Sequence, residues 1–164
     1  VVDDDNFANR LLYKHVEDGD WTMTEEFIRG NRVDVVSLAP GTGTILHVAA
    51  MTGHVNIVEG LMSMPEREEL VKIQDGRGFT AIALAAHLTG NTDVAKCMVE
   101  RVSEHIRRDM LTIKNIDGVI PLLLAADKGY TEMTRYLHKQ TPENMLDERD
   151  SVSLLERCIK AEIF

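Results

Sequence analysis

Six histidines and two cysteines are the side chains of this 164-residue chain best suited to chemistry. A cysteine nucleophile needs an activating base and donors for the developing oxyanion. Nothing around Cys97 or Cys158 points to such a set, and both read as free thiols in or near a core. No His-Glu-x-x-His and no Cys/His zinc spacing occurs, so neither a metal nor a cofactor is expected. Gly41-Thr42-Gly43-Thr44 is glycine-rich but lacks the Lys-Ser/Thr of a phosphate loop, and it reads as a hairpin tip. Asp3-Asp4-Asp5 could attract a cation, although a solvated, frayed terminus is the simpler reading, and Glu66–Glu69 reads as a solvated helix start. His47 could act as a base or a ligand, but no acid–base pair or nucleophile accompanies it. The chain therefore reads as non-enzymatic.

The charge balance narrows the partner class. With 18 Lys and Arg against 27 Asp and Glu, the net charge is −9. A nucleic-acid or anionic-lipid binder needs a basic footprint, so neither partner is expected of this fragment. Two cysteines make no disulfide scaffold and no Asn-x-Ser/Thr acceptor occurs, which suits a reducing intracellular compartment. The longest weakly polar run, Gly118 to Ala126, is broken by Pro121 and far short of the roughly 20 residues a spanning helix needs. Val1-Val2-Asp3 is no signal peptide, and without an initiating Met the chain reads as a fragment of a longer protein.

What positions these residues is a repeat. Thr44-Ile-Leu-His-Val-Ala-Ala50, Thr80-Ala-Ile-Ala-Leu-Ala-Ala86 and Ile120-Pro-Leu-Leu-Leu-Ala-Ala126 share one frame. Gly53, Gly90 and Gly129 follow, and four residues beyond each glycine an apolar stripe begins, at Ile57, Val94 and Met133. An upstream copy keeps the same offset from Gly19 to Met23. Each copy predicts helix, tight turn, helix, with apolar residues on a 3.6-residue period. Thr44 and Thr80 suit N-caps and Pro121 a first helical turn. The glycines suit positive φ where the chain turns back. The alanine pairs permit close helix approach. Pro40–Gly43, Asp75–Gly78 and Asn115–Gly118 suit hairpin-like tips.

The frame Thr-x-Leu-His-x-Ala-Ala-x-x-Gly-His at Thr44–His54 resembles the ankyrin repeat. Leu12-Tyr13-Lys14, Gly19-Asp20-Trp21 and the phrase Gly90–Glu100 resemble, more narrowly, plant ankyrin proteins with a C-terminal Pro-Gly-Gly-type membrane domain. The resemblance implies an all-α solenoid of stacked helix-turn-helix units with hairpin fingers. It gives His47 a structural role, bonding backbone groups at the hairpin. It implies a cytoplasmic-side module of a membrane-anchored defence or stress signalling protein. On this frame residues 1–164 form one array. Residues 5–37 are an N-terminal capping repeat, 38–74, 75–114 and 115–150 are repeats, and 151–164 begin a truncated fifth. Three departures stand out. Ala49, Ala85 and Ala125 are spaced by 36 and 40 residues, against roughly 33 in an ankyrin unit. The surplus in Glu66–Ile73 and Glu104–Ile113 predicts extra helical turns. One additional residue between Ala86 and Gly90 predicts a distorted turn.

Such a stack exposes its tips and the last turn of each first helix on a concave side. The residues expected there are Met51, Thr52, Arg77, Phe79, His87, Leu88, Ile116, Asp117, Val119, Asp127 and Lys128, with Phe7 and Glu17 in the first copy. Phe79 and Ile116 are the leading expected anchors, as exposed apolar groups ringed by charge. The expected partner is a protein or peptide with an apolar strip and some basic residues, matching the acidic average. The alternative is a structural role, either self-association or packing against the parent's own membrane domain.

Overall fold

The computed structural model describes residues 2–36 and 43–163, with side chains from residue 7 onward. Eleven α-helices follow one another among these residues: α1 Val2–Glu17, α2 Trp21–Asn31, α3 Ile45–Thr52, α4 Val55–Leu61, α5 Arg67–Leu70, α6 Ala81–Leu84, α7 Thr92–Glu100, α8 Glu104–Thr112, α9 Pro121–Asp127, α10 Thr131–Gln140 and α11 Glu148–Lys160. No strand forms among the described residues. The helices build two layers. α1, α3, α6, α9 and α11 pack side by side as an inner layer, and α2, α4, α7 and α10 as an outer one. Each unit thus buries its apolar face against its neighbours, the defining property of a solenoid.

The repeated frame explains the layering. Ala49, Ala50, Ala85, Ala86, Ala125 and Ala126 are all fully buried, where side chains of one carbon let inner helices approach closely. Between the layers stand Leu46, Ile57, Leu61, Ile82, Leu84, Met98 and Leu122, each of which contributes about 1.5–3 kcal/mol by leaving water. The two surplus segments form the additional helices α5 and α8, which bury Leu70, Ile106, Met110 and Leu111.

The extra residue of the third copy also leaves its mark. Residues Ala85–Thr89 wind as a π turn, and the Gly90 N–H donates to the Ala85 carbonyl at 2.8 Å, five residues back. In the preceding copy the Gly53 N–H reaches only four residues back, to Ala49 at 3.1 Å. The inserted residue is absorbed as a bulge without breaking the register of the stack.

Two expectations change. The backbone of Asp3–Asp5 is helical within α1 rather than frayed. Glu68 is not merely a solvated helix start: its carboxylate accepts the Ser103 N–H at 3.0 Å, which holds its pKa below the usual range. Of the tip expected at Pro40–Gly43, only Gly43 falls within the described residues.

Candidate functional site

The site begins with two tips that copy each other. At Asp75–Gly78 the Asp75 carboxylate accepts the Arg77 and Phe79 N–H groups, both at 2.9 Å. At Asn115–Gly118 the Asn115 side-chain oxygen accepts the Asp117 and Val119 N–H groups, both at 3.0 Å. The Asp75 and Asn115 N–H groups close the loops on Phe79 and Val119 carbonyls. Gly78 stands at φ +77°, and a Cβ there would lie 2.9 Å from the Ile116 nitrogen, so only glycine lets the tips meet. The Ile116 N–H then donates to the Arg77 carbonyl at 3.2 Å, and Gln74 reaches the Lys114 carbonyl at 3.0 Å. The fingers are a hydrogen-bonded row.

His47 anchors the base of this row. A backbone N–H can only donate, so the 3.0 Å bond from Thr44 N–H fixes Nδ1 as an acceptor and places the proton on Nε2. Nε2–H donates to the Phe79 carbonyl at 2.9 Å. The ring is fully buried, and burial lowers its pKa, so it stays neutral. Both nitrogens are committed to backbone, which leaves no base to offer a substrate. Cys97 is buried too, and burial pushes its thiol up to about 11, against nucleophilic use. Burial likewise raises the Cys158 thiol. Among the described residues no group of three His, Cys, Asp or Glu side chains could hold a metal, and no helix is long and apolar enough to cross a membrane.

A recess of about 310 Å³ opens between the two tips and the ends of the inner helices. It brings together seven of the expected residues: Arg77, Phe79, His87, Ile116, Asp117, Val119 and Asp127. Lys128 borders an adjoining recess of about 250 Å³ that shares Asp127 and Arg157. Met51, Thr52 and Leu88 are exposed at the ends of their inner helices but line neither recess. Phe79 is corrected: it is 5% exposed, because its carbonyl is held by His47 and its ring lies beneath Arg77 and beside His87. It forms a floor, whereas Ile116, at 72% exposure, stands out as the apolar rim. The Arg77 guanidinium sits 4.9 Å above the Phe79 ring, and the His87 ring centroid is 5.3 Å away. His87 has a lowered pKa, first through burial and then through the positive charges of Lys128 and Arg77.

Three lining residues were outside the expected set. Asn115 and Leu124 complete the tip and wall, and Arg157 reaches in from α11, where it pairs with Asp127 at 2.9 Å. Another recess, about 370 Å³, lies in the outer layer, where Trp21 packs on Gly60. Its charges, Glu25 and Arg29, already satisfy each other at 2.7 Å, so it offers a partner less.

A family model for ankyrin repeats, in three copies, matches residues 11–110 and again 46–147. The chain belongs to the ankyrin-repeat family. Ankyrin repeats are protein-interaction modules, which fits a site made of fingers and helix ends rather than a converging set of reactive groups. Within these repeats the glycine positions carry a cross-repeat stitch. The residue after each glycine packs on the glycine of the preceding copy. His54 Nε2 bonds the Glu17 carbonyl at 2.8 Å, Asn91 Nδ2 the Gly53 carbonyl at 3.4 Å, and the Tyr130 hydroxyl the Leu88 carbonyl at 3.1 Å. At Gly90, φ is +63° and a Cβ would lie 2.5 Å from the Tyr130 ring, so glycine is required twice over.

Proposed function

We propose that this chain is a non-enzymatic protein- or peptide-binding module whose concave groove receives the partner. The observation that carries the reading is Ile116: a large aliphatic side chain held in water on a finger whose backbone N–H groups are all hydrogen-bonded. Such a rigid finger loses little conformational entropy when it is covered. The contact set we assign is Arg77, Phe79, His87, Ile116, Asp117, Val119, Asp127 and Lys128, with Met51, Thr52 and Leu88 extending it. We divide the array as 5–37, 38–74, 75–114, 115–150 and 151–164. The setting we infer is the cytoplasmic side of a membrane-anchored plant defence or stress signalling protein. Leu12-Tyr13-Lys14, Gly19-Asp20-Trp21 and Gly90–Glu100 support that setting. Affinity capture tests the module. Ile116→Asp should abolish partner retention by removing a rim anchor worth about 2 kcal/mol or more, while shifting stability by only about 0.5 kcal/mol. Equal retention by the variant would refute the assignment.

One feature favours a second reading. Val152, Leu155 and Ile159 form an outward apolar stripe on α11, at 55%, 63% and 61% exposure. That stripe suits self-association or packing against the parent's membrane domain. Light scattering across a concentration series separates the two readings: mass rising with concentration supports assembly, and a constant monomer mass counts against self-association.

A further inference from the structure

We infer that the C-terminal half of the groove selects an acidic segment of a protein partner, seating an aliphatic side chain against Ile116 and a carboxylate by Arg77 and Lys128. The inference rests on the groove being the binding face and adds the partner's chemistry. The net charge of −9 suggests the opposite, a basic partner. The groove's own charges decide otherwise. Arg157 and Asp127 neutralise each other at 2.9 Å. Arg77 forms no ion pair among the described residues and lies on the Phe79 ring. Lys128 and Lys160 border the adjoining recess, also without an ion pair among the described residues. Among the lining residues only Asp117 opposes them as an exposed, unpaired carboxylate. It is joined from behind the first tip by Asp75, whose carboxylate is already held by the Arg77 and Phe79 N–H groups, so three cations face two anions. The local balance of uncompensated charge is therefore positive on an acidic molecule.

Range settles which field a docked segment feels. At physiological ionic strength exposed charges are screened over about 8 Å, so distant acidic side chains act weakly. A carboxylate within hydrogen-bonding reach of Arg77 or Lys128 lies well inside that length, so salt screens those groups little. Arg77 is also pre-set: the Phe79 ring beneath it restricts the guanidinium, so less freedom is lost on pairing. The apolar half of the match is Ile116 with half-buried Val119 beside it. The ligand chemistry is thus an aliphatic residue next to Asp or Glu.

The test is panning of a random dodecapeptide phage library on the intact 164-residue chain, followed by titration of one synthesised winner. The expected pool is enriched in Asp or Glu beside Leu, Ile, Val or Met. The winner should lose affinity roughly tenfold on its Glu→Gln change and on Arg77→Gln/Lys128→Gln in the protein, with a weaker grip at high salt. Both side chains are exposed, so these variants should melt like the parent; Lys128→Gln alone serves if the double variant does not. A pool rich in Lys and Arg, or winners indifferent to the charge changes yet lost on Ile116→Asp, overturns the acidic preference and leaves the groove standing. Winners that bind Ile116→Asp as well as the parent chain, or a library with no enrichment, overturn the groove and the inference together.

Discussion

Replacing His47 by alanine should be among the most damaging single changes in this molecule, although it touches no partner surface. The ring is fully buried and holds two backbone groups: it accepts the Thr44 N–H and donates to the Phe79 carbonyl. Alanine leaves both groups buried without partners. Each stranded group costs about 1–3 kcal/mol, so the total is about 2–6 kcal/mol before any cavity is counted. For a domain of this size each kcal/mol moves the melting temperature by about 2–4 °C, which predicts a fall on the order of 10 °C. Far-UV circular dichroism during heating measures it. The pH dependence supplies a second arm. Burial lowers the His47 pKa, so below the ordinary imidazole value of about 6.5 the unfolded chain binds a proton that the folded chain refuses. Stability must therefore fall as pH drops below that value. His47→Ala should flatten this slope, leaving the contribution of His87, whose pKa is also lowered. A variant melting within 2 °C of the parent, or one with an unchanged slope between about pH 7 and 5, would refute the bridging role.

Other predictions follow from packing and charge. Ala85→Leu should destabilise by roughly 1–3 kcal/mol through overpacking between inner helices, read as a lower midpoint in urea; an unchanged midpoint would contradict the close approach. Gly90→Ala should lower the melting temperature by several degrees, because its methyl would meet the Tyr130 ring and its φ is positive; Gly118→Ala, with open space around it, should cost less. Lys114 bridges Asp147 and the nearly buried Asp150, each at 3.2 Å, and Lys114→Met should cost about 1–2 kcal/mol after allowance for solvent at the ammonium. Faster amide exchange confined to α11 would show it, and unchanged protection there would contradict it. The Ser103 and Asp150 N–H groups hold the Glu68 and Asp147 carboxyls low, so a further loss of stability belongs below about pH 4, separate from the histidine window.

The stack was legible because its signals are local and repeated. Thr44–Ala50, Thr80–Ala86 and Ile120–Ala126 mark inner helices, and Gly19, Gly53, Gly90 and Gly129 mark turns that all show positive φ. A distortion before Gly90 could be read from its one surplus residue, although not that it takes the form of a π turn. The candidate site was less legible because burial there depends on neighbours distant in sequence. Phe79 occupies a tip-end position in the frame, yet the His47 bond 32 residues away draws it inward. Arg157 enters the groove only because α11 docks beside α9, which no spacing within one copy discloses. The stitching by His54, Asn91 and Tyr130 escapes notice because three unlike side chains do one task, although their shared place after a glycine is a signal in hindsight. Net charge points to a basic partner, and the inferred acidic one rests on where Arg77 and Lys128 stand, which a whole-chain sum does not disclose.

The most direct measurement is a titration of the isotope-labelled chain with a peptide selected from the library, followed by amide chemical shifts. Binding in the groove should concentrate the changes at Arg77, His87, Ile116, Asp117 and Lys128, in the two tips and the adjoining helix ends. Changes centred on the outer recess at Trp21 and Gly60, or on Val152, Leu155 and Ile159 of α11, would contradict it.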